Sequence, residues 1–149
     1  MDERVDRLRE NVVAFSRRIR SKSSGHLMSP TQMQALSHLD RSGPLSARAL
    51  ADLEQVAPQT IARTVCSLES RGMVTRSVDP KDARSQLISI TEVGVGTLTA
   101  DRARRREWLA AAIEERCTDV ERELLFLAGG LLARLAEAPG SARPPEAQS

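Results

Sequence analysis

The chain has 149 residues, which predicts one domain of ordinary size, or one domain with an appended helical piece. Hydrophobic residues make up 40% and charged residues 28%, a globular balance, and no apolar run approaches the roughly 20 residues that span a bilayer, so a disordered or membrane-spanning chain is excluded. The formal net charge of +2 is too small to announce a nucleic-acid partner by itself, although arginine supplies nearly all the cations, with lysine only at Lys22 and Lys81.

The amino terminus, Met1-Asp2-Glu3-Arg4, is charged rather than apolar and does not read as a secretion signal, so the cytosol is the expected compartment. Val5, Leu8, Val12, Phe15 and Ile19 then step by 3, 4, 3 and 4, one apolar seam on a helix over about residues 3–21. Residues 21–27 are a polar loop. Met28-Ser29-Pro30-Thr31-Gln32-Met33 starts a second helix: Ser29 caps it, Pro30 takes the first helical position and Gln32 can close a capping box. Met28 and Met33 are spaced for a hydrophobic staple. This helix stops at Ser42-Gly43-Pro44. A short helix capped by Ser46, with Leu50 and Leu53 inward, a turn at Glu54-Gln55-Val56-Ala57 and a helix from Pro58 to Gly72 match a helix-turn-helix.

The apolar period now changes from helical to alternating. Met73-Val74-Thr75-Arg76-Ser77-Val78 and Gln86-Leu87-Ile88-Ser89-Ile90 read as two strands joined by a charged turn, Asp79-Pro80-Lys81-Asp82-Ala83-Arg84. Thr91 can cap a long helix to about Arg116, and Thr118-Asp119-Val120-Glu121 opens a leucine-rich last helix to about Ala138. Gly129-Gly130 inside that helix implies close helix approach or a kink. Residues 139–149, with Pro139, Pro144 and Pro145, read as a disordered tail.

On the helix from Pro58, Ile61, Val65 and Leu68 share one face. The other presents Gln59, Thr60, Arg63, Thr64 and Ser67, side chains that can fork onto guanine or adenine edges or meet a thymine methyl, rather than the Glu/Lys mixture of a merely soluble face. Pro58 lies at the helix start, whose free N–H groups favour phosphate. At the hairpin tip Arg84 is the candidate for minor-groove insertion, with Lys81 and Arg76 on phosphates. Asp82 is expected to hold Arg84 or the turn backbone, by an ion pair or an Asx-type hydrogen bond.

These residues carry a resemblance. The order of elements, with Leu68-Glu69-Ser70-Arg71-Gly72-Met73-Val74-Thr75-Arg76, Asp79-Pro80-Lys81-Asp82-Ala83-Arg84-Ser85 and Ile90-Thr91-Glu92-Val93-Gly94, resembles the multiple antibiotic resistance regulator (MarR) family of winged-helix transcription factors over about residues 3–138. Ala83, where many members carry a second basic residue, and Ile90 for the common leucine depart from the pattern, and Ala83 implies a weaker minor-groove grip. The resemblance implies a mainly α fold with a small β-hairpin wing. It places a winged helix-turn-helix at about residues 29–91 and dimerisation helices at about 3–21 and 92–138, in one domain. It also implies a homodimer on a pseudo-palindromic operator in double-stranded DNA, probing the major groove with the recognition helix and the minor groove with the wing, as a repressor responsive to a small aromatic or anionic effector.

Dimerisation also follows from the residues. Val5, Leu8 and Val12, and Leu124, Leu127 and Leu131, add more apolar surface than a core of this size covers. Phe15, Met28, Met33 and Trp108 are candidates to line an effector pocket, although core packing explains them as well. His26 and His38 read first as surface residues, Arg102, Arg104, Arg105 and Arg106 as a solvated basic face, and Cys66 and Cys117 as free thiols in small-residue packing. Nothing at motif spacing supports catalysis, a metal or a cofactor. The competing reading is a dimeric ligand-binding or protein-interaction scaffold that does not bind DNA, which the acids Glu69 and Asp79 keep open.

Overall fold

The computed structural model describes residues 2–22 and 28–137; His26, the expected end of the last helix at Ala138 and the expected tail lie outside them. The chain divides after Leu109 into two units, each described by itself.

In the first unit, α1 (Asp2–Ser21) is the expected seam helix. None of its residues is buried: Val5 and Leu8 are 55% and 52% exposed, and Val12 is half-buried. α2 (Pro30–Ser42) starts as anticipated. Ser29 Oγ accepts from the Gln32 amide at 3.2 Å while Gln32 Oε1 accepts from the Ser29 amide at 2.8 Å, so two helix-end donors are satisfied together. Met28 and Met33 are both buried across this cap.

Gly43, at φ +76°, ends α2 and turns the chain into β1 (Leu45–Ser46), a two-residue strand that the sequence reading lacks. Ser46 then caps α3 (Ala47–Glu54), accepting from the Ala49 amide at 3.1 Å. Leu50 and Ala51 are buried, but Leu53, expected inward, is 49% exposed. With Leu50 and Ala51 inward, the next position on that face is Glu54, so Leu53 is rotated outward. Gln55, at φ +54°, closes the turn into α4 (Pro58–Ser70), which buries Ile61, Thr64, Val65 and Leu68.

Gly72, at φ +69°, leads from α4 into β2 (Val74–Asp79), which pairs antiparallel with β3 (Asp82–Ile90) in a sheet of order β1-β3-β2. The strands run closer to the tip than the expected six-residue turn: Asp82, Ala83 and Arg84 belong to β3. The core joins Leu36 and Leu39 of α2, Leu50 of α3, Ile61, Val65 and Leu68 of α4, Val74 of β2 and Ile88 of β3, aliphatic as the scarcity of aromatic residues requires.

α5 (Glu92–Arg116) begins in this unit. Thr91 fixes its start, donating from Oγ1 to the Gly72 carbonyl at 2.6 Å and accepting from the Gly94 amide at 3.2 Å. In the second unit, α6 (Asp119–Glu137) opens on the expected capping box, Thr118 Oγ1 accepting from the Glu121 amide at 3.3 Å and Glu121 Oε2 accepting from the Thr118 amide at 2.8 Å. No α6 residue is buried, and Leu124, Leu127 and Leu131 are all exposed.

His38 is not the surface residue expected. Its Nε2 lies 3.5 Å from Oε1 of Glu54, both side chains are largely buried, and neither atom has a hydrogen-bond partner among the described residues. Burial first, and nearby Arg41 second, hold the imidazole below its ordinary 6.5, while burial pushes the Glu54 carboxyl above its ordinary 4.5. Both groups are therefore driven toward their neutral forms. The raised carboxyl costs stability as pH climbs above about 4.5, and the lowered imidazole costs stability as pH falls below about 6.5. Glu54→Gln removes the first cost and supplies an N–H donor for neutral imidazole. We expect a gain of about 0.5–1.5 kcal/mol at pH 7, read as a higher urea midpoint, with the gain shrinking toward pH 4. An unchanged midpoint across that range would show that the carboxylate is not held at a cost.

Candidate nucleic-acid interface

α4 and the β2–β3 hairpin carry the residues expected to meet DNA. Pro58 presets the first turn of α4, Ala57 caps it without a side-chain bond, and no acidic residue occupies the first turn, so the N–H groups at that end remain open to an anion. Because Ile61, Val65 and Leu68 are locked into the core, the helix cannot rotate without emptying it. Pro58, Gln59, Thr60 and Arg63 are consequently exposed, as expected.

Thr64 and Ser67 correct the expectation. Thr64 is 8% exposed and its Oγ1 donates to the Thr60 carbonyl at 2.9 Å, so its hydroxyl serves its own helix while its methyl joins the core side. Ser67 is half-buried, and its Oγ accepts from Gln32 Nε2 at 2.8 Å, which ties α4 to the start of α2. The places they leave on the outer face belong to Ala62 and Cys66. Cys66 was expected in packing and is exposed instead; Cys117 is intermediate, and both thiols are free. Spacing held the signal: 59, 62, 63 and 66 follow the i, i+3, i+4, i+7 rule for one helical face.

On the wing, the acids are accounted for. Asp82 Oδ1 accepts from the Arg84 amide at 3.0 Å and Asp79 Oδ1 from the Lys81 amide at 2.9 Å, so of the two roles expected for Asp82 the Asx-type bond to backbone is the one observed. Lys81 and Arg84 are exposed at the tip. Arg76, expected on phosphate, points its guanidinium at α4: Nε lies 3.1 Å from Glu69 Oε2, and Nη2 lies 3.4 Å from Cys66 Sγ. The Glu69 charge is thereby matched on the face where it would otherwise repel a phosphate.

A separate cavity of about 410 Å³ opens beside α2, lined by Arg20, Met28, Met33, Leu98, Asp101, Arg102 and Arg105 among others. Met28 and Met33 reach it as expected from the sequence, but Phe15 and Trp108 do not line it; Phe15 is exposed, and Trp108 lies under the Lys22 ammonium at 5.9 Å from the ring centre. Arg102 and Arg105 are not merely solvated, since they pair with Asp40 and Asp101, each at 2.9 Å. Among the described residues no group of acids, histidines or cysteines could hold a metal ion, and no helix is long and apolar enough to cross a membrane.

Comparison with known proteins agrees with this architecture. A family model described as MarR family matches residues 28–86. An uncharacterized HTH-type transcriptional regulator of Mycobacterium bovis is 33% identical over 126 residues, 85% of this chain and 87% of the relative. The crystal structure of a transcriptional regulator protein of Pseudomonas aeruginosa superposes with a TM-score of 0.80 at 29% identity, covering 92% of this chain and 95% of the other. A MarR family protein of Bacillus stearothermophilus shares the fold, with a TM-score of 0.72 at 23% identity over 90% of this chain and 93% of the other. With its winged helix-turn-helix and this likeness along most of its length, the chain belongs to the MarR family of transcriptional regulators, not to the enzymes.

Proposed function

We propose that the chain works as a homodimer on a pseudo-palindromic operator, seating α4 in the major groove and the wing in the adjacent minor groove, and that it represses the promoter it covers. One observation carries this reading: Gln59, Arg63 and Arg84 stand exposed on elements whose other faces are locked into one core, so their positions are set before DNA arrives. Pro58 and Thr60 at the helix start, and Lys81 on the wing, would hold phosphates, while Asp82 keeps the tip in shape.

Two copies are supported by what each chain leaves uncovered. The seams through Val5, Leu8 and Val12 of α1 and through Leu124, Leu127 and Leu131 of α6 remain in water, at a cost of about 25 cal/mol per Å² of apolar surface. Gly129 and Gly130 leave bare backbone on α6, where, among the described residues and apart from the helix's own backbone, nothing comes within 4 Å of an added Cβ, an opening for close helix approach. In this reading the winged module at about residues 29–91 lies between dimerising helices at about 3–21 and 92–138, and two-fold symmetry spaces the α4 helices by roughly 34 Å, one turn of duplex.

The cavity beside α2 is the proposed effector site. Arg102 and Arg105 are paired with Asp40 and Asp101, so Arg20 supplies the cavity's remaining positive charge, and Met28 and Met33 give it an apolar wall, which suits a small anionic or aromatic molecule. Its binding would favour one half-site spacing over another and so shift the population away from the DNA-bound form.

Titration against duplex from the chain's own upstream region, at several salt concentrations, tests the reading. Phosphate contacts give a steep fall of affinity with salt; absent or salt-insensitive binding rules the reading out. In the same assay, Arg84→Ala is expected to weaken all duplexes about equally and to lower the salt slope by about 1.

A further inference from the structure

We propose that Ala62 and Cys66 complete the base-reading stripe of α4 with Gln59 and Arg63, and that these two small side chains meet thymine methyl groups on the floor of the major groove. This assignment rests on the DNA-binding reading above and adds which bases it selects. The four residues share one exposed face, and the hydroxyls of Thr64 and Ser67 are turned away from it, into the Thr60 carbonyl and the Gln32 amide. From residue 59 to residue 66 the helix rises about 10.5 Å, roughly three base-pair steps, so the stripe spans one compact recognition site.

Ala62 and Cys66 bring no charge and no strong hydrogen-bonding demand to the groove. A methyl and a small, weakly polar thiol are poor partners for the donors and acceptors of guanine, cytosine and adenine, but suit the C5-methyl that thymine alone presents there. Their small size also lets the α4 backbone come close enough for Gln59 and Arg63 to reach base edges. Cys66 does not swing freely, because the Arg76 guanidinium on β2 stands 3.4 Å from its sulfur.

The experiment starts from full-length protein and a duplex selected from a random pool. Deoxyuridine then replaces thymidine one site at a time, removing a single methyl and leaving pairing intact. At two positions per half-site the affinity should fall about fourfold, the worth of one buried methyl-sized group. Ala62→Ser should abolish the penalty at one of these positions and Cys66→Ser at the other. Independently, N-ethylmaleimide should modify Cys66 in the free wild-type protein and fail to do so in the saturated specific complex, read by peptide mass spectrometry. Deoxyuridine that costs nothing anywhere in the half-site, penalties that both variants retain, or Cys66 modified equally fast with and without DNA each overturn the assignment while leaving DNA binding intact. If no duplex is retained at all, this assignment and the DNA-binding reading fall together.

Discussion

Arg63→Ala is expected to weaken binding to the selected operator by about 1–3 kcal/mol, roughly a ten- to hundredfold loss, while affinity for unrelated duplex should change far less. Among the described residues Arg63 makes no ion pair, so its guanidinium is available to fork onto a guanine, whereas Arg76 on the neighbouring strand is engaged with Glu69. Arg63→Lys should restore charge but not the two-pronged geometry, and so recover the non-specific component alone. Because the side chain is exposed, the thermal midpoint of the protein should hardly move, which separates lost contact from lost fold. Competition binding with operator and scrambled duplex checks this; equal losses on both would take Arg63 out of base reading.

Of the helical glycines among the described residues, Gly94 is expected to be the one most damaged by an added methyl, in Gly94→Ala. A Cβ there would run into the Met73 carbonyl oxygen and lie 2.7 Å from Cγ1 of Ile90. The first neighbour is backbone and already accepts from the Thr91 amide at 3.0 Å, so the start of α5 must lift from the start of β2. Overpacking of this kind costs about 1–3 kcal/mol, and the strained Thr91 bonds about 1 more, against at most about 1 returned by alanine's better helix propensity. A net loss of about 2 kcal/mol lowers the melting temperature by roughly 6 °C in a chain of this size. Gly96 is the control: it is in the same helix with nothing within 4 Å of an added Cβ, so Gly96→Ala should be neutral or slightly stabilising. Equal effects of the two substitutions would refute the close approach at Gly94.

What the sequence revealed, and what it hid, divides by the range of the physics. Both capping boxes, Ser29 with Gln32 and Thr118 with Glu121, are local patterns whose donors and acceptors lie three residues apart, and both were readable before any contact was known. The hairpin announced itself by its change of period. β1 did not, because two residues carry no period and Leu45–Ser46 is a strand only by its pairing with Leu87 and Ile88. Residue type misled at Thr64 and Cys66. A threonine can be buried once its hydroxyl is returned to the carbonyl one turn back, and a thiol on a core-like residue can still face outward when Ile61, Val65 and Leu68 set the rotation of the helix. The His38–Glu54 pair was invisible because only the packing of α2 on α3 brings residues sixteen apart in the chain to 3.5 Å. Met28 and Met33 line the cavity because they flank the start of α2, while Trp108 has a partner in Lys22 that no spacing rule exposes.

One amide joins two of these stories. Gln32 uses its carbonyl oxygen to fasten the backbone at Ser29 and its nitrogen to grip Ser67. The residues on either side of that fastening, Met28, Pro30 and Met33, form a wall of the cavity, and Ser67 sits on α4, the helix proposed to read the duplex. A single planar group, with two ends of opposite polarity, thus acts as a crossbar whose tilt is common to both. A leucine in its place would lose both grips, uncoupling the segment that would sense a small molecule from the one that would read the bases.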